Sequence, residues 1–377
     1  MSPTMKPKAV IFGAGIIGSE ANRQFRREGY EIVALVSSKK LVRADGTEAV
    51  FKERGNPNEV LQHILALSGG HVDLAVFALP SAGKNVVEIE HSYVKPFLEK
   101  RTPMTLAGKA LLSSDHYYEL EPHLDHVDIN ATVGAAVCML DEMIEHLRFD
   151  NGRDILVEAV VNGTLSYIMS GIWGNRPLEA LIREAVNNKF AEPGVNNEIP
   201  DPFTVMDGEA TGDVPKKLLI ILRRVFGKYI GRKIKANDIE VVKFTEDAMY
   251  RFTASNERRK YVVRISTKRL PHMLERNSPG SVWADIDGKV FISGGFCQIP
   301  AGSAMDKWVP NSGPGNAVRI VQTGLPRIVI AEGAGDLATV GTLIKGARRL
   351  RSFTTRTQVH GGPYQKEFLG ALAPGGQ

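Results

Sequence analysis

Lys8-Ala9-Val10-Ile11-Phe12-Gly13-Ala14-Gly15-Ile16-Ile17-Gly18 decides the fold. Its first five residues form a short apolar run with β-branched side chains, as a parallel strand buried on both faces requires. The three glycines fall where that strand turns into a helical stretch reaching about Arg27 and stopped by Gly29. In this setting each glycine has a task. Gly13 permits the tight turn, Gly15 lets a pyrophosphate approach the backbone, and Gly18 lets helix and strand pack closely. The helix N-terminus offers free N–H groups to the anion, so Ile16 and Ile17 join the glycines in the expected dinucleotide site. A second buried strand, Glu31–Val36, is followed by Ser37-Ser38-Lys39-Lys40 and then Arg43. A site for NAD(H) would usually place Asp or Glu there to hold ribose hydroxyls. Hydroxyls and cations suit a 2′-phosphate instead, and the reading favours NADP(H) over NAD(H).

Outward from this unit, Val72-Asp73-Leu74-Ala75-Val76-Phe77-Ala78 and Pro103-Met104-Thr105-Leu106 read as later strands of the same sheet. Strands alternating with helices imply an α/β fold with a doubly wound Rossmann sheet. Ligands of such sheets lie beyond the carboxyl ends of the strands, which adds Ala78, Leu79, Pro80 and Lys109 to the expected cofactor contacts. Past about residue 133 the character changes. The pattern predicts a helix over 135–147, a strand over 155–161, helices near 166–188 and 214–227, and a Gly/Asn/Pro-rich loop over 192–212. Residues 238–330 read as a mostly antiparallel sheet, and 327–350 as strand, glycine-rich turn and helix. The expected organisation is a discontinuous nucleotide-binding domain, 1–134 and 325–352, enclosing an α+β catalytic and dimerisation domain at 135–324. A loose tail follows at 353–377.

A chain of 377 residues, 43% hydrophobic and 24% charged, has room for two ordinary globular domains. Its net charge of +5 comes from scattered basic residues without interleaved aromatics, which argues against nucleic acid and suits a phosphorylated cofactor. Cys138 and Cys297 cannot build a disulfide framework. Residues 1–8 lack the apolar core of a signal peptide, and no run of about 18 apolar residues occurs, so a cytoplasmic protein without a membrane segment is expected. Metal chemistry finds little support here. His123 and His126 have no third ligand at convincing spacing, and no His-Glu-x-x-His occurs.

Hydride addition to a carbonyl makes an alkoxide, which calls for a proton donor or cation beside that oxygen. Two lysines stand in suggestive places. Lys109 follows a sheet strand, and Lys217 lies in Gly212-Asp213-Val214-Pro215-Lys216-Lys217-Leu218. There Asp213 is placed to cap a helix, Pro215 fits its first turn, and Asp213 and Lys217 share one face. The plain alternative is an N-cap with a surface ion pair.

Several separated segments resemble homoserine dehydrogenases. They are the glycine turn, Gly108-Lys109-Ala110, Ala131-Thr132-Val133-Gly134-Ala135, Asn162-Gly163-Thr164-Leu165-Ser166-Tyr167-Ile168, Ala191-Glu192-Pro193, Gly212-Asp213-x-x-Lys216-Lys217-Leu218 and Glu332-Gly333-Ala334-Gly335. The resemblance runs from about residue 8 to 350 and implies a short form without a regulatory domain. It implies hydride transfer between NADP(H) and L-homoserine or L-aspartate 4-semialdehyde, in a homodimer. Lys217 would exchange the proton with the substrate oxygen, Asp213 would orient that exchange, and Lys109 would stand nearby. Asn162, Gly163, Thr164 and Tyr167 would line the substrate pocket, Glu192 would receive the α-ammonium, and Gly333 would lie beside the nicotinamide. Backbone carbonyls of Val133, Ala135 and Val137 would offer a site for sodium.

Two departures stand out. Glu192-Pro193 and Asp201-Pro202 are split by residues 194–200, so Glu198, Asp201 or Asp207 are alternatives for the role of Glu192. Asn130 stands where the family has a glutamate, which removes a charge from the cation loop. Three other readings stay open: another small hydroxy or oxo acid as substrate, a nucleotide-binding sensor without chemistry, and covalent catalysis by Cys138 at a helix N-terminus.

Overall fold

In the computed structural model the described residues are 6–38, 40–43, 45–50, 56–81, 83–147, 154–194, 198–255, 257–269, 278–322 and 326–359. The opening segment folds as its pattern requires. Strands β1 (Lys8–Phe12), β2 (Glu31–Val36), β3 (Lys40–Arg43), β4 (Glu48–Val50), β5 (Leu74–Phe77), β6 (Met104–Leu106) and β7 (Val127–Asp128) form one sheet in the order β4-β3-β2-β1-β5-β6-β7. Its β2-β1-β5-β6-β7 portion is parallel, and β3 and β4 add an antiparallel edge. The period of two along β1 sorts its side chains to opposite faces. Ala9 and Ile11 pack with Ala21, Phe25, Val340, Leu343 and Ala347, so helices Ile16–Arg27 and Asp336–Val359 cover that face. Val10 and Phe12 pack with Val60, Ile64, Tyr93 and Phe97 from helices Pro57–Ser68 and Val86–Glu99 on the other.

The second sheet contains β8 (Leu156–Val160), β9 (Glu240–Val241), β10 (Arg259–Ser266), β11 (Val282–Ile286), β12 (Val290–Gln298), β13 (Gly315–Val321) and β14 (Arg327–Glu332), in the order β14-β13-β8-β10-β12-β11-β9. All its pairings are antiparallel. One face, with Val157, Ala159, Val263 and Ile265, packs under Leu165, Ile168 and Met169 of helix Gly163–Trp173. The other, with Val160, Val262, Cys297 and Ala317, is closed by Ile299, Trp308 and Val309. Cys297 is therefore a packing residue.

Four expectations need correction. The helix near 166–188 is two helices, Gly163–Trp173 and Leu178–Asn187, because Gly174 and Pro177 interrupt it. β14 joins the second sheet through β13 instead of returning to the first, and it is the helix beginning at Asp336 that packs on the first sheet. That helix runs on to Val359, into the stretch read as a loose tail; residues 360–377 lie outside the described residues. The largest correction concerns the loop over 192–212. Its second half is helical from Pro202, capped by Asp201, whose Oδ2 accepts from Thr204 N at 2.9 Å. The helix continues as a π-turn over Gly208–Asp213, an α-segment Val214–Ile221, a second π-turn Leu222–Phe226 and a last α-turn, and ends at Gly231 with φ 77°. Asp213 thus lies inside a helix and makes no cap hydrogen bond. Pro215 has no N–H and would collide with a carbonyl one turn back, and the wider π-turn just before it relieves that conflict.

Candidate active site

The glycine turn between β1 and the first helix has the shape its residues require. Gly13 has φ 106°, and a Cβ there would lie 2.2 Å from the carbonyl oxygen of Ala78. A Cβ on Gly18 would lie 1.7 Å from the Gly13 oxygen, whereas one on Gly15 would meet nothing within 4 Å. The outer two glycines are fixed by packing, and the middle one leaves a cradle open above the turn. The helix start carries no side-chain cap, so its first N–H groups are available to an anion, and Ile16 is 41% exposed beside them. Ile17 packs against the core under that face. Ala78, Leu79 and Pro80 follow β5 at the carboxyl edge of the sheet, with Ala78 and Leu79 against this turn. These residues fit a dinucleotide pyrophosphate.

The residues beyond β2 are arranged differently from the expectation. Ser37 closes the β2–β3 turn, exchanging hydrogen bonds with the backbone of Lys40. Lys40 itself pairs with Glu48 of β4 at 2.5 Å, so its ammonium serves the antiparallel edge. Ser38 is exposed, and Lys39 lies outside the described residues. Among the described basic residues here, Arg43 keeps a buried Nε without a partner.

The chemical cluster lies where the two sheets meet. Lys217, only 9% exposed, donates to Asp213 Oδ2 at 2.6 Å and to the Val161 carbonyl at 2.9 Å. An ammonium has three donors, so one remains for a further oxygen. Lys109 approaches the other oxygen of Asp213 at 3.3 Å. Its backbone N–H is held by Ser81 Oγ at 3.0 Å, and the next turn is held by buried Glu90, which accepts from Leu111 N at 3.0 Å. Burial of Glu90 pushes its carboxyl up to about 7. Asn162 caps helix Gly163–Trp173 with its oxygen, and its amide nitrogen donates to Asp213 at 2.9 Å and to Glu209 at 2.5 Å. Burial works against ionisation of Asp213, but Lys217 and Lys109 outweigh it and hold that carboxyl well below its usual range. Glu209 is the counterpart. Burial and the charge of Asp213 push it up to about 7, against the pull of Asn162 and the two lysines. For Lys109 burial opposes the charge, yet Asp213, Glu209 and Glu192 together raise its pKa.

This arrangement has relatives. The family model described as homoserine dehydrogenase matches residues 144–298, which include helix Gly163–Trp173, Asp213 and Lys217. The bifunctional aspartokinase/homoserine dehydrogenase 2, chloroplastic, of Arabidopsis thaliana is 22% identical over 369 residues, 91% of this chain. That match covers 38% of the relative, so the chain spans well under half of that protein's length. The crystal structure of homoserine dehydrogenase from Thermoplasma acidophilum superposes with a TM-score of 0.61 at 16% identity, over 92% of this chain and all of that one. A hyperthermophilic archaeal homoserine dehydrogenase mutant in complex with NADPH gives 0.58 at 16% identity, over 92% of this chain and 98% of that one. The homoserine dehydrogenase model thus accounts for residues 144–298, and the solved homoserine dehydrogenases share the fold of nearly the whole chain.

The other residues to which the family resemblance points are placed as follows. Thr164 donates to the Phe190 carbonyl at 2.5 Å, a contact that locks helix to loop. Tyr167 donates to Glu184 at 2.6 Å, alongside Arg176, and so faces helix Leu178–Asn187 instead of the cluster. Glu192 is exposed. Asp207 accepts from Thr211 at 2.9 Å within its own helix, Asp201 is a helix cap, and Glu198 is exposed. Gly163 and Gly333 do meet: a Cβ on Gly163 would lie 2.7 Å from the Gly333 carbonyl carbon. The cation loop fits its ion poorly. The Ala135 carbonyl already accepts from Thr342 at 2.9 Å and from Cys138 N at 3.3 Å. Asn130 is tied to Asp128 and Asp141, and Arg349 brings a fixed positive charge onto both of those acids. The Val133 and Val137 carbonyls would add only two neutral oxygens, a weak site for a hard cation. Cys138 has its thiol pushed up by burial, against the needs of a nucleophile.

Glu209, Glu90, Ser81 and Lys216 went unread in the sequence. Glu209 carried a signal, since 209, 213 and 217 repeat every fourth position and share a helix face. Treating 192–212 as loop hid it. Lys216 donates to the Ser81 carbonyl at 2.9 Å, tying the helix of Asp213 and Lys217 to the loop after β5, and nothing in its spacing announces that.

Proposed function

We propose that this chain is an NADP-dependent homoserine dehydrogenase. The observation that carries the reading is Lys217, buried, aligned by Asp213 and Val161, with one donor left over and Lys109 on the far oxygen of the same carboxylate. Gly13, Gly15, Ile16, Gly18 and Ala78 would hold the nucleotide, which supplies or accepts hydride when bound. Lys217 gives its proton to the alkoxide oxygen as an aldehyde is reduced, and takes it back as the alcohol is oxidised. Asp213 keeps that ammonium aimed, and Lys109 adds a second positive charge toward the reacting oxygen. Glu209, braced by Asn162, is the carboxylate that meets the substrate's α-ammonium, the role expected of Glu192. Arg43 and Ser38 supply the preference for a 2′-phosphate. Homodimerisation belongs to this reading and is supported by Ile328 and Ile330, which are 40% and 51% exposed on the edge strand β14.

The exposure of Glu192 favours a second reading, in which the substrate is another small hydroxy or oxo acid. A panel separates them. NADP+ and NAD+ are each offered with L-homoserine and with four- to six-carbon hydroxy acids at mildly alkaline pH, and absorbance of the reduced cofactor is followed. The proposal expects turnover with homoserine, faster with NADP+. Turnover confined to a substrate without an α-ammonium would establish the second reading instead.

A further inference from the structure

We propose that His91, His116 and Glu119 form a surface site for one divalent transition metal of the zinc class. The site is remote in role from the lysine cluster and does not rest on the functional reading above. His91 projects from helix Val86–Glu99, and His116 and Glu119 from the short turn of helix Tyr117–Leu120. His91 Nε2 lies 2.9 Å from Glu119 Oε2, and His116 Nδ1 lies 2.6 Å from Glu119 Oε1. The two imidazole rings are stacked at 3.7 Å, 16° from parallel. One ligand atom from each residue therefore lies within 4.8 Å of the other two.

Two imidazole nitrogens and a carboxylate oxygen are a ligand set that holds zinc with a fourth position left for water. Tetrahedral zinc at about 2.0–2.2 Å from its ligands keeps those atoms about 3.4 Å apart, so the present separations need to open by about half to four-fifths of an ångström, and one imidazole must turn out of the stack to aim its lone pair at the shared ion. Side-chain exposures of 19% for His91, 30% for His116 and 53% for Glu119 leave that movement free. Glu119 also borders an open cavity of about 370 Å³ lined by Lys95, Arg101 and His123, which gives an ion and its water a way in. The element pair being bridged matters. Glu90, next to His91, supports the turn that carries Lys109, so a bound metal would brace helix Val86–Glu99 against the segment following that lysine.

The test uses the full chain without a histidine tag, stripped with chelator and titrated with Zn2+ by calorimetry and with Co2+ by visible absorption. The expected result is one equivalent per chain, an intense tetrahedral Co2+ spectrum, and a rise in melting temperature on adding Zn2+. His91→Ala and Glu119→Ala should each weaken binding at least about tenfold and abolish that rise, while melting normally without metal. His123→Ala, which removes the neighbouring His123/His126 pair, should bind as the wild type does. Equal affinity in wild type and His91→Ala, or loss of binding only in His123→Ala, overturns the proposal.

Discussion

Glu209 and Asp213 are two carboxylates on one helix face, pushed in opposite directions by their surroundings. Asp213 has both lysines against it and stays ionised, while Glu209 is raised to about 7 by burial and by Asp213 itself. A group in that range changes charge near neutrality. An ammonium ligand favours its ionised form, so substrate binding strengthens as pH rises through about 7. The expected outcome is a kcat/KM for homoserine that climbs across that interval, through KM more than kcat. Glu209→Gln should flatten this limb and raise KM by about tenfold or more, the scale of a lost buried charged hydrogen bond. A pH profile that keeps its limb in Glu209→Gln would remove Glu209 from ammonium recognition. At this scale the sequence was partly legible. Lys217, Asp213 and Lys109 were named from spacing and resemblance, but Glu209 was hidden in a stretch whose glycines and prolines read as loop.

Among elements, the parallel strands were the most legible, because burial on both faces leaves an unbroken apolar run. β1 and β2 begin and end where the pattern places them. The helix that carries Asp213 and Lys217 was the least legible. Pro202 starts it instead of breaking it, and Gly208 and Gly212 are absorbed into a π-turn, a local geometry that a 3.6-residue period does not anticipate. The glycine turn gives the sharpest test of an element. Gly18→Ala puts a methyl 1.7 Å from the Gly13 oxygen, so helix and strand must separate. Overpacking of that kind costs about 1–3 kcal/mol or more. Denaturant melting should show that loss, and NADPH fluorescence titration should show weakened binding. A variant with wild-type stability and wild-type affinity would mean that the turn is not what closes helix against strand.

The whole molecule combines a mostly parallel sheet with an antiparallel one. Lys216 reaches Ser81 beyond β5, and Lys189 pairs with Asp336, the start of a helix on the first sheet, at 2.5 Å, so two separate contacts tie the second-sheet helices to the first sheet. No helix among the described residues is long and apolar enough to cross a membrane. The presence of two sheets was readable from the change of character past about residue 133. The placement of β14 was not, because an isolated apolar run does not say which sheet it joins. What the two layers converge on is the ammonium of Lys217, and its removal is the most direct test. Lys217→Ala is compared with wild type for homoserine-dependent NADPH formation and, separately, for NADPH affinity. Turnover should fall by about 10²–10⁴-fold, the range of a lost general acid–base group, with nucleotide affinity unchanged. Turnover that survives the substitution would contradict the account.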